Sequence, residues 1–227
     1  MNKYHWQVLY VEAIVVVLLA CVVFTVAWAS TLSQPRRAQA FLTDFTRLEI
    51  GKSTLEQAES LARTHGGIPW WVSNDSMRCT YQRCIFRFLF ENKPLTSTHL
   101  VPYTGLIADV SVKQGIVVAR ELTYVRQNKG QLTYDVVEAI PPALGTVEEE
   151  VWKMHVGVMR LNVDQNGTPS TISVGLEPSS PADQKRRAYS LDLSCLARIF
   201  GCNGLASYVP PGVPYHGGPY QSRIETW

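Results

Sequence analysis

The sequence predicts an α+β protein with a transmembrane helix, two further helices and then a mostly antiparallel sheet of about six or seven strands. Three observations support this expectation: residues 13–34 carry no charge, apolar residues then recur at helical spacing up to residue 67, and alternating apolar and polar residues follow. We therefore expect four segments along the chain. They are a membrane anchor (1–32), membrane-proximal helices (33–67), a β-rich exterior domain (68–208) and an irregular tail rich in Pro and Gly (209–227).

The composition is that of a folded, nearly neutral chain. The 227 residues are 46% hydrophobic, which is too apolar for a disordered protein. Lys and Arg number 21 against 19 Asp and Glu, so the formal net charge is +2. This balance gives no support to nucleic-acid binding or to an acidic tail.

The N-terminal segment is the strongest signal in the sequence. Ala13–Ala29 is apolar apart from Thr25. About 20 such residues in a helix cross the roughly 30 Å hydrocarbon layer of a bilayer. Trp6 and Trp28 lie at opposite ends, as in an aromatic belt. We expect residues 8–30 to contact the lipid bilayer as a single-pass anchor.

Three alternatives to an uncleaved anchor stay open. Ala27–Ala29 has the small-x-small form of a signal-peptidase site before Ser30, which would give a cleaved secreted protein. Leu18–Cys21 resembles a lipobox, with Cys21 as the candidate lipidation site of a lipoprotein. A pilin-like helix would place Glu12 fifth in an apolar run, although Gln7 stands where such processing needs Gly.

The four remaining cysteines form two close pairs, Cys79 with Cys84 and Cys195 with Cys202. Close pairs in even number are typical of an oxidising compartment, so we expect the C-terminal domain to be periplasmic or extracellular. Local pairing is favoured, although four cysteines allow three connectivities. Zinc ligands are usually separated by two to four residues, whereas these gaps are four and six, so a zinc site is disfavoured. Free thiols are the other alternative.

Two helices are predicted before residue 67. Ser33 is the expected N-cap of the first, which breaks at Ile50-Gly51, with apolar residues at helical spacing: Ala38, Phe41, Leu42, Phe45 and Leu48. Ser53 and Glu56 form the expected capping box of the second, which ends at Gly66-Gly67. Gly51–Thr54 also matches the tail of a P-loop, but Thr46 stands where that motif needs Gly, so we interpret the segment as a helix entry.

Alternating patterns predict the strands that follow. The clearest are Phe86–Phe90 and Leu106–Val112, the latter turning at Gln114-Gly115 into Ile116–Val125. Further strands are expected over Trp152–Val163 with a bulge near Gly157, over Ile172–Leu176 after a turn at Asn166-Gly167, and over Tyr189–Leu193. Pro178–Arg187 is expected to be a polar loop. A short helix closed by the Cys195–Cys202 disulfide would end the domain.

The segment from Leu48-Glu49-Ile50-Gly51-Lys52-Ser53 to Gly66-Gly67 resembles the helical opening of small bacterial envelope proteins of the SmpA/OmlA type. Those proteins enter a helix through a hydrophobic-x-x-Gly-x-Ser/Thr pattern, and antiparallel strands follow it. The layout also resembles that of uncharacterised bacterial single-pass envelope proteins with one Cys pair after the helix and another near the C-terminus. The resemblance implies a scaffolding or protein-binding role without catalysis.

The polar residues show no catalytic, cofactor-binding or metal-binding pattern. The five histidines are scattered, and Lys185–Arg187 is interpreted as a solvated basic loop. No cofactor or nucleic-acid partner is therefore expected, and no small-molecule substrate can be identified from the sequence. The function favoured is a non-catalytic module that binds an envelope protein or the cell wall, with Trp70 and Trp71 either contacting a partner or lying in the core. The alternatives are an exported hydrolase, whose site would be assembled only in three dimensions, and a subunit of a pilus-like or secretion assembly.

Overall fold

The computed structural model describes residues 3–69, 79–97, 101–127, 131–140, 158–163, 169–198 and 225–226. They form an α+β fold, as predicted. The helices are α1 (Lys3–Leu32), α2 (Gln34–Phe45), α3 (Leu55–His65), α4 (Lys93–Thr96), α5 (Ala182–Ala188) and a 3₁₀ turn, η1 (Leu193–Leu196). The strands are β1 (Ile68–Pro69), β2 (Arg83–Glu91), β3 (Tyr103–Lys113), β4 (Ile116–Gln127), β5 (Gln131–Ala139), β6 (Val158–Val163), β7 (Pro169–Leu176) and β8 (Glu225–Thr226).

Helix α1 runs almost without interruption into α2. Ser33 between them has helical angles (φ −76°, ψ −21°), and its hydroxyl donates to the carbonyl of Ser30 at 3.0 Å. Ser33 thus occupies the N-cap position of α2, as predicted, but its side chain makes no capping hydrogen bond, because the chain arrives already helical and the preceding turn supplies the acceptors. Helix α2 ends at Phe45, earlier than the predicted break, yet Leu48 and Ile50 remain buried.

The start of α3 lies one residue beyond the predicted position. Thr54 is the N-cap and forms a capping box with Gln57, whose Oε1 accepts the Thr54 amide at 2.9 Å. Ser53 is buried instead, and its Oγ accepts the amide of Glu49 at 2.9 Å. The helix ends as predicted at Gly66, which has a positive φ of 76°.

The sheet has the strand order β1-β2-β3-β4-β5-β7-β6-β8. Six long strands carry two-residue strands at both edges, and every pairing is antiparallel except the parallel pair of β5 and β7. The mostly antiparallel sheet of about six or seven strands is thus confirmed. At the predicted β3–β4 turn, Gln114 and Gly115 both have positive φ (51° and 75°), as a two-residue hairpin of type I′ requires.

Several local predictions after residue 130 are wrong. The sequence reading assigned no strand to Gln131–Ala139, which is β5. Residues Tyr189–Leu193 are a turn and the start of η1, because helix α5 occupies most of the predicted polar loop and Ala188 anchors it in the core. Two residues of the tail that was expected to be irregular form β8. Trp152–Gly157 with its expected bulge, and the Asn166-Gly167 turn, lie outside the described residues.

The core lies between one face of the sheet and helices α2 and α3. Phe41 of α2 is its centre, with ring centroids 4.6 Å from Phe88, 5.0 Å from Phe90 and 5.1 Å from Phe45. The residues predicted to alternate on β2 and β3 are all buried there: Phe86, Phe88, Phe90, Leu106, Ala108, Val110 and Val112. Because α2 and α3 share this core with the sheet, the membrane-proximal helices are built into the β-rich domain.

A break in register between β3 and β4 decides which side chains of β4 face the core. Val112 pairs with Val117, whereas the adjacent Ser111 pairs with Ala119, so Val118 is an extra residue on β4. Such a bulge reverses the alternation of the strand beyond it. Arg120 therefore points into the core in phase with Leu122, and only 4% of its surface is exposed.

Candidate functional site

The structure joins Cys79 to Cys84 in a disulfide, with their Cα atoms 4.6 Å apart. The loop that this bond closes lies over the β3–β4 turn, where the amide of Gly115 donates to the Tyr81 carbonyl at 2.7 Å. This disulfide is thus part of the sheet region. Cys195 is buried and disulfide-bonded as well, and Cys202, its predicted partner, lies outside the described residues.

The other residues singled out from the sequence are dispersed. Cys21 is a free, exposed thiol on α1. Trp70 and Trp71, the candidate partner contacts, lie outside the described residues, as do His99, His155 and His216. The described part of the chain contains no group of three or more His, Cys, Asp or Glu side chains placed to hold a metal ion.

His65 is the one histidine whose side chain the structure describes. It lies in the last turn of α3, as predicted, and its Nε2 is 2.9 Å from Oδ2 of Asp44 on α2. Its ring and the ring of Phe41 are nearly perpendicular, with their centroids 5.6 Å apart. This contact ties α3 to α2 and is a packing interaction.

The apolar helix α1 lies outside the core of the domain. From Tyr10 to Val23 every side chain is exposed, and no residue of the most apolar stretch of the helix is buried. By length and composition this helix could insert in a membrane, as an anchor or as a signal sequence does. Its last turns contact α4, and Thr31 there is completely buried. Within the described contacts, the apolar helix therefore projects from the domain and is held to it at its C-terminal end.

A buried ionic cluster lies under α2 and α5, on the core side of the sheet. Arg120 on β4 and Glu138 on β5 are directly paired across the strands. Arg120 donates through Nε and Nη2 to Oε2 of Glu138, at 2.8 and 2.5 Å. Lys185 on α5 reaches the other carboxylate oxygen, with its Nζ 2.7 Å from Oε1. One carboxylate thus holds two cations, and its side chain is only 2% exposed.

The cluster also fixes the end of α2 and the aromatic residues above it. Arg120 Nη1 donates to the carbonyls of Phe45 and Leu48, at 2.7 and 3.0 Å. Its guanidinium stacks 5.0 Å from the Tyr189 ring centroid and 5.6 Å from that of Phe45. Burial raises the pKa of Tyr189 well above its ordinary value. The positive charge of Arg120 lowers this pKa and the Glu138 carboxylate raises it, but burial has the largest effect, so the phenol stays protonated.

A cleft of about 490 Å³ opens to solvent above this cluster, between α2 and α5. Among the described residues, three cations line it, Arg120, Lys185 and Arg186, and no carboxylate does. The rest of its wall is mostly polar or aromatic: Gln39, Thr43, Thr46, Tyr189 and Ser190. This arrangement can bind a polar anion. Its described lining includes neither a histidine nor a thiol.

Reasoning from sequence missed this cluster and misplaced one of its members. Lys185 was expected in a solvated loop, whereas its side chain is 22% exposed and paired with Glu138. One signal was available: Leu132, Tyr134 and Val136 alternate along β5, and Glu138 occupies the next position of the same buried face. A carboxylate on the buried face of a strand requires a cation or hydrogen-bond donors beside it.

Comparisons of this chain with protein-family models, with curated proteins and with solved structures find no match.

Proposed function

We propose that this chain is a single-pass envelope protein whose N-terminal helix stays in the bilayer and whose α+β domain binds another envelope protein or the cell wall without catalysis. The observation that supports it most is the exposure of α1 from Tyr10 to Val23, outside a domain that already has its own core. An apolar helix of this length left in water would expose a patch far larger than those of ordinary soluble proteins.

The junction between α1 and the domain favours an uncleaved anchor over a signal peptide. Cleavage after Ala29 would cut inside a continuous helix, between the half-buried Ala27 and the buried Thr31. Both residues lie in the part of α1 that contacts the domain, so removal of one side would expose surface that α1 now covers. The same packing leaves no flexible linker, which holds the domain close to the bilayer surface.

The disulfides support an exterior domain, because such bonds persist in oxidising compartments. The resemblance to the SmpA/OmlA-type proteins remains a prediction and points to the same binding role. No contact among the described residues favours the exported hydrolase or the pilus-like subunit.

Thiol labelling of the full chain in intact membranes tests both topology and compartment. Without reductant, a maleimide reagent should modify at most Cys21, and Cys21→Ser should then be unlabelled. After denaturation and reduction, four further thiols should react. Labelling of all four exterior cysteines without reductant would contradict the exterior assignment.

The mass of the mature protein tests the anchor itself. We expect an N-terminus that is not cleaved at Ala29 or before Cys21, and a chain that alkaline carbonate does not extract from the membrane. A chain starting at Ser30, or a lipidated Cys21, would contradict the uncleaved anchor. Sedimentation with purified cell wall, and cross-linking in intact cells, then separate wall binding from protein binding. Absence of both interactions would contradict the binding role.

A further inference from the structure

We propose that the cleft between α2 and α5 binds a phosphate-bearing polar molecule, with Lys185 and Arg186 holding the phosphate group. This inference deepens the binding role proposed above by giving the ligand a chemical class. It rests on that function only for the compartment in which the ligand is found, because the charge and shape of the cleft are properties of the domain alone.

The first step is the charge balance beneath the cleft. Arg120 and Lys185 carry two positive charges, and Glu138 supplies a single negative one. The buried cluster is therefore one positive charge in excess, in surroundings where a net charge is unfavourable without a partner. Lys185 is its most exposed member, with a side chain 22% exposed, and it lines the cleft together with the nearly buried Arg120.

The second step is the state of the neighbouring charges. Arg186 adds another cation to the wall of the cleft, and it forms no ion pair within the described part of the chain. The nearby carboxylates are already engaged: Asp183 accepts from Arg187 at 3.0 Å, and Glu49 from Lys52 at 2.7 Å. The pKa of Glu49 is lowered chiefly by its hydrogen bond to Lys52, and Lys185 is the weakest contributor. Within the part of the chain that the structure describes, no further carboxylate lines the cleft to neutralise this positive charge, which therefore favours an external anion.

The third step is the shape and lining of the cleft. About 490 Å³ is far more than a free phosphate ion fills and lies in the usual range for small-molecule sites. The hydroxyls of Thr43, Thr46 and Ser190 and the amide of Gln39 offer hydrogen bonds to a hydroxylated body. Helical periodicity places Arg36 on the same face of α2, one turn before Gln39 and two turns before Thr43, which extends the positive surface toward α1.

Glycerol 3-phosphate is the probe, because its chemistry is shared by lipid headgroups and by soluble sugar or polyol phosphates. We would titrate it into the full chain in nanodiscs of phosphatidylcholine and measure binding by calorimetry. Saturable binding is expected, with glycerol alone giving none. Repeating the titration in phosphatidylglycerol nanodiscs distinguishes the sources: competition by the lipid headgroup indicates a lipid ligand, and undiminished binding indicates a soluble one.

Two variants and a control locate the site. Arg186→Gln changes an exposed side chain and Lys185→Met leaves Arg120 and Glu138 balanced, so both should fold. Each should weaken binding about tenfold, the effect of losing one charge-assisted contact. Lys113→Gln changes an exposed cation beside the β3–β4 turn that does not line the cleft, and should leave the affinity unchanged.

The proposal is overturned by any of three results. These are no saturable binding up to about 10 mM probe, unchanged affinity in both cleft variants, or an equal loss of affinity in Lys113→Gln. None of them depends on which side of the membrane the domain occupies, so the binding result and the topology result can fail separately.

Discussion

Replacing Glu138 by Gln should be the most destabilising single change in the ionic cluster. The substitution keeps the size of the side chain but leaves the guanidinium of Arg120 and the ammonium of Lys185 without their shared counter-charge. Arg120 cannot turn to solvent, because only 5% of its side chain is exposed and Nη1 is held by two carbonyls. Leaving a buried charge unpaired in this way costs about 3–5 kcal/mol.

Lys185→Met serves as the matched control, because it removes a charge from the same cluster and leaves Arg120 and Glu138 as a neutral pair. Its cost should be about 1 kcal/mol, for one partly exposed ion pair and the hydrogen bond to the Pro178 carbonyl. For a domain of this size each kcal/mol lowers Tm by about 2–4 °C. Glu138→Gln should therefore lower Tm by about 10 °C, and Lys185→Met by about 3 °C.

Near-UV circular dichroism of the full chain in detergent micelles is the appropriate assay, because it reports side-chain packing in the domain rather than the helix in the micelle. The reasoning would be refuted if both variants lowered Tm equally, or if Glu138→Gln had no effect. Either result would mean that Arg120 can reach solvent or another partner when Glu138 loses its charge, contrary to its contacts in the structure.

Two further predictions use the same assay. Gly67→Ala would place a Cβ 2.5 Å from the buried Phe88 ring and should lower the free energy of unfolding by about 1–3 kcal/mol. Gly66→Ala should lower it less, by about 1 kcal/mol, because only the positive φ there opposes a side chain. The reverse order would contradict the packing around Gly67. On the outer face of the sheet, burial raises the pKa of Glu121 above 4.5, and two nearby carboxylates raise it further. The folded state therefore binds the proton of Glu121 more tightly than the unfolded state, so stability falls as pH rises from 4.5 through the raised pKa. Glu121 is only partly shielded from solvent, so the effect should be small: Glu121→Gln should raise Tm slightly at pH 7 and not at pH 4, and an equal gain at both values would refute this.

Several predictions that depend on local pattern agree with the structure. Alternation along β2 and β3 identified strands with one buried face, since side chains of a strand point to opposite sides in turn. The Gln114-Gly115 hairpin and the glycine at the end of α3 followed equally from the backbone freedom of glycine. The apolar helix was evident from its length and lack of charge alone.

Helix boundaries were less accurate where two adjacent residues could play one role. Ser53 and Thr54 are both good N-caps, and the sequence pattern favoured Ser53 with Glu56. The structure uses Thr54 with Gln57, because Ser53 is committed to the amide of Glu49 in the preceding turn. The choice depends on how the chain enters the helix, which is a tertiary matter.

The residues in order along the chain were enough to specify an apolar helix attached to an α+β domain with paired cysteines, because periodicity, length and spacing are local properties. They were not enough to specify the cluster of Arg120, Glu138 and Lys185, whose members lie on three elements. One extra residue at Val118 turns Arg120 inward, the pairing of β4 with β5 sets Glu138 beside it, and the packing of α5 adds Lys185. A buried charge is tolerated only where partners from distant segments converge, so its position is settled when the chain has folded.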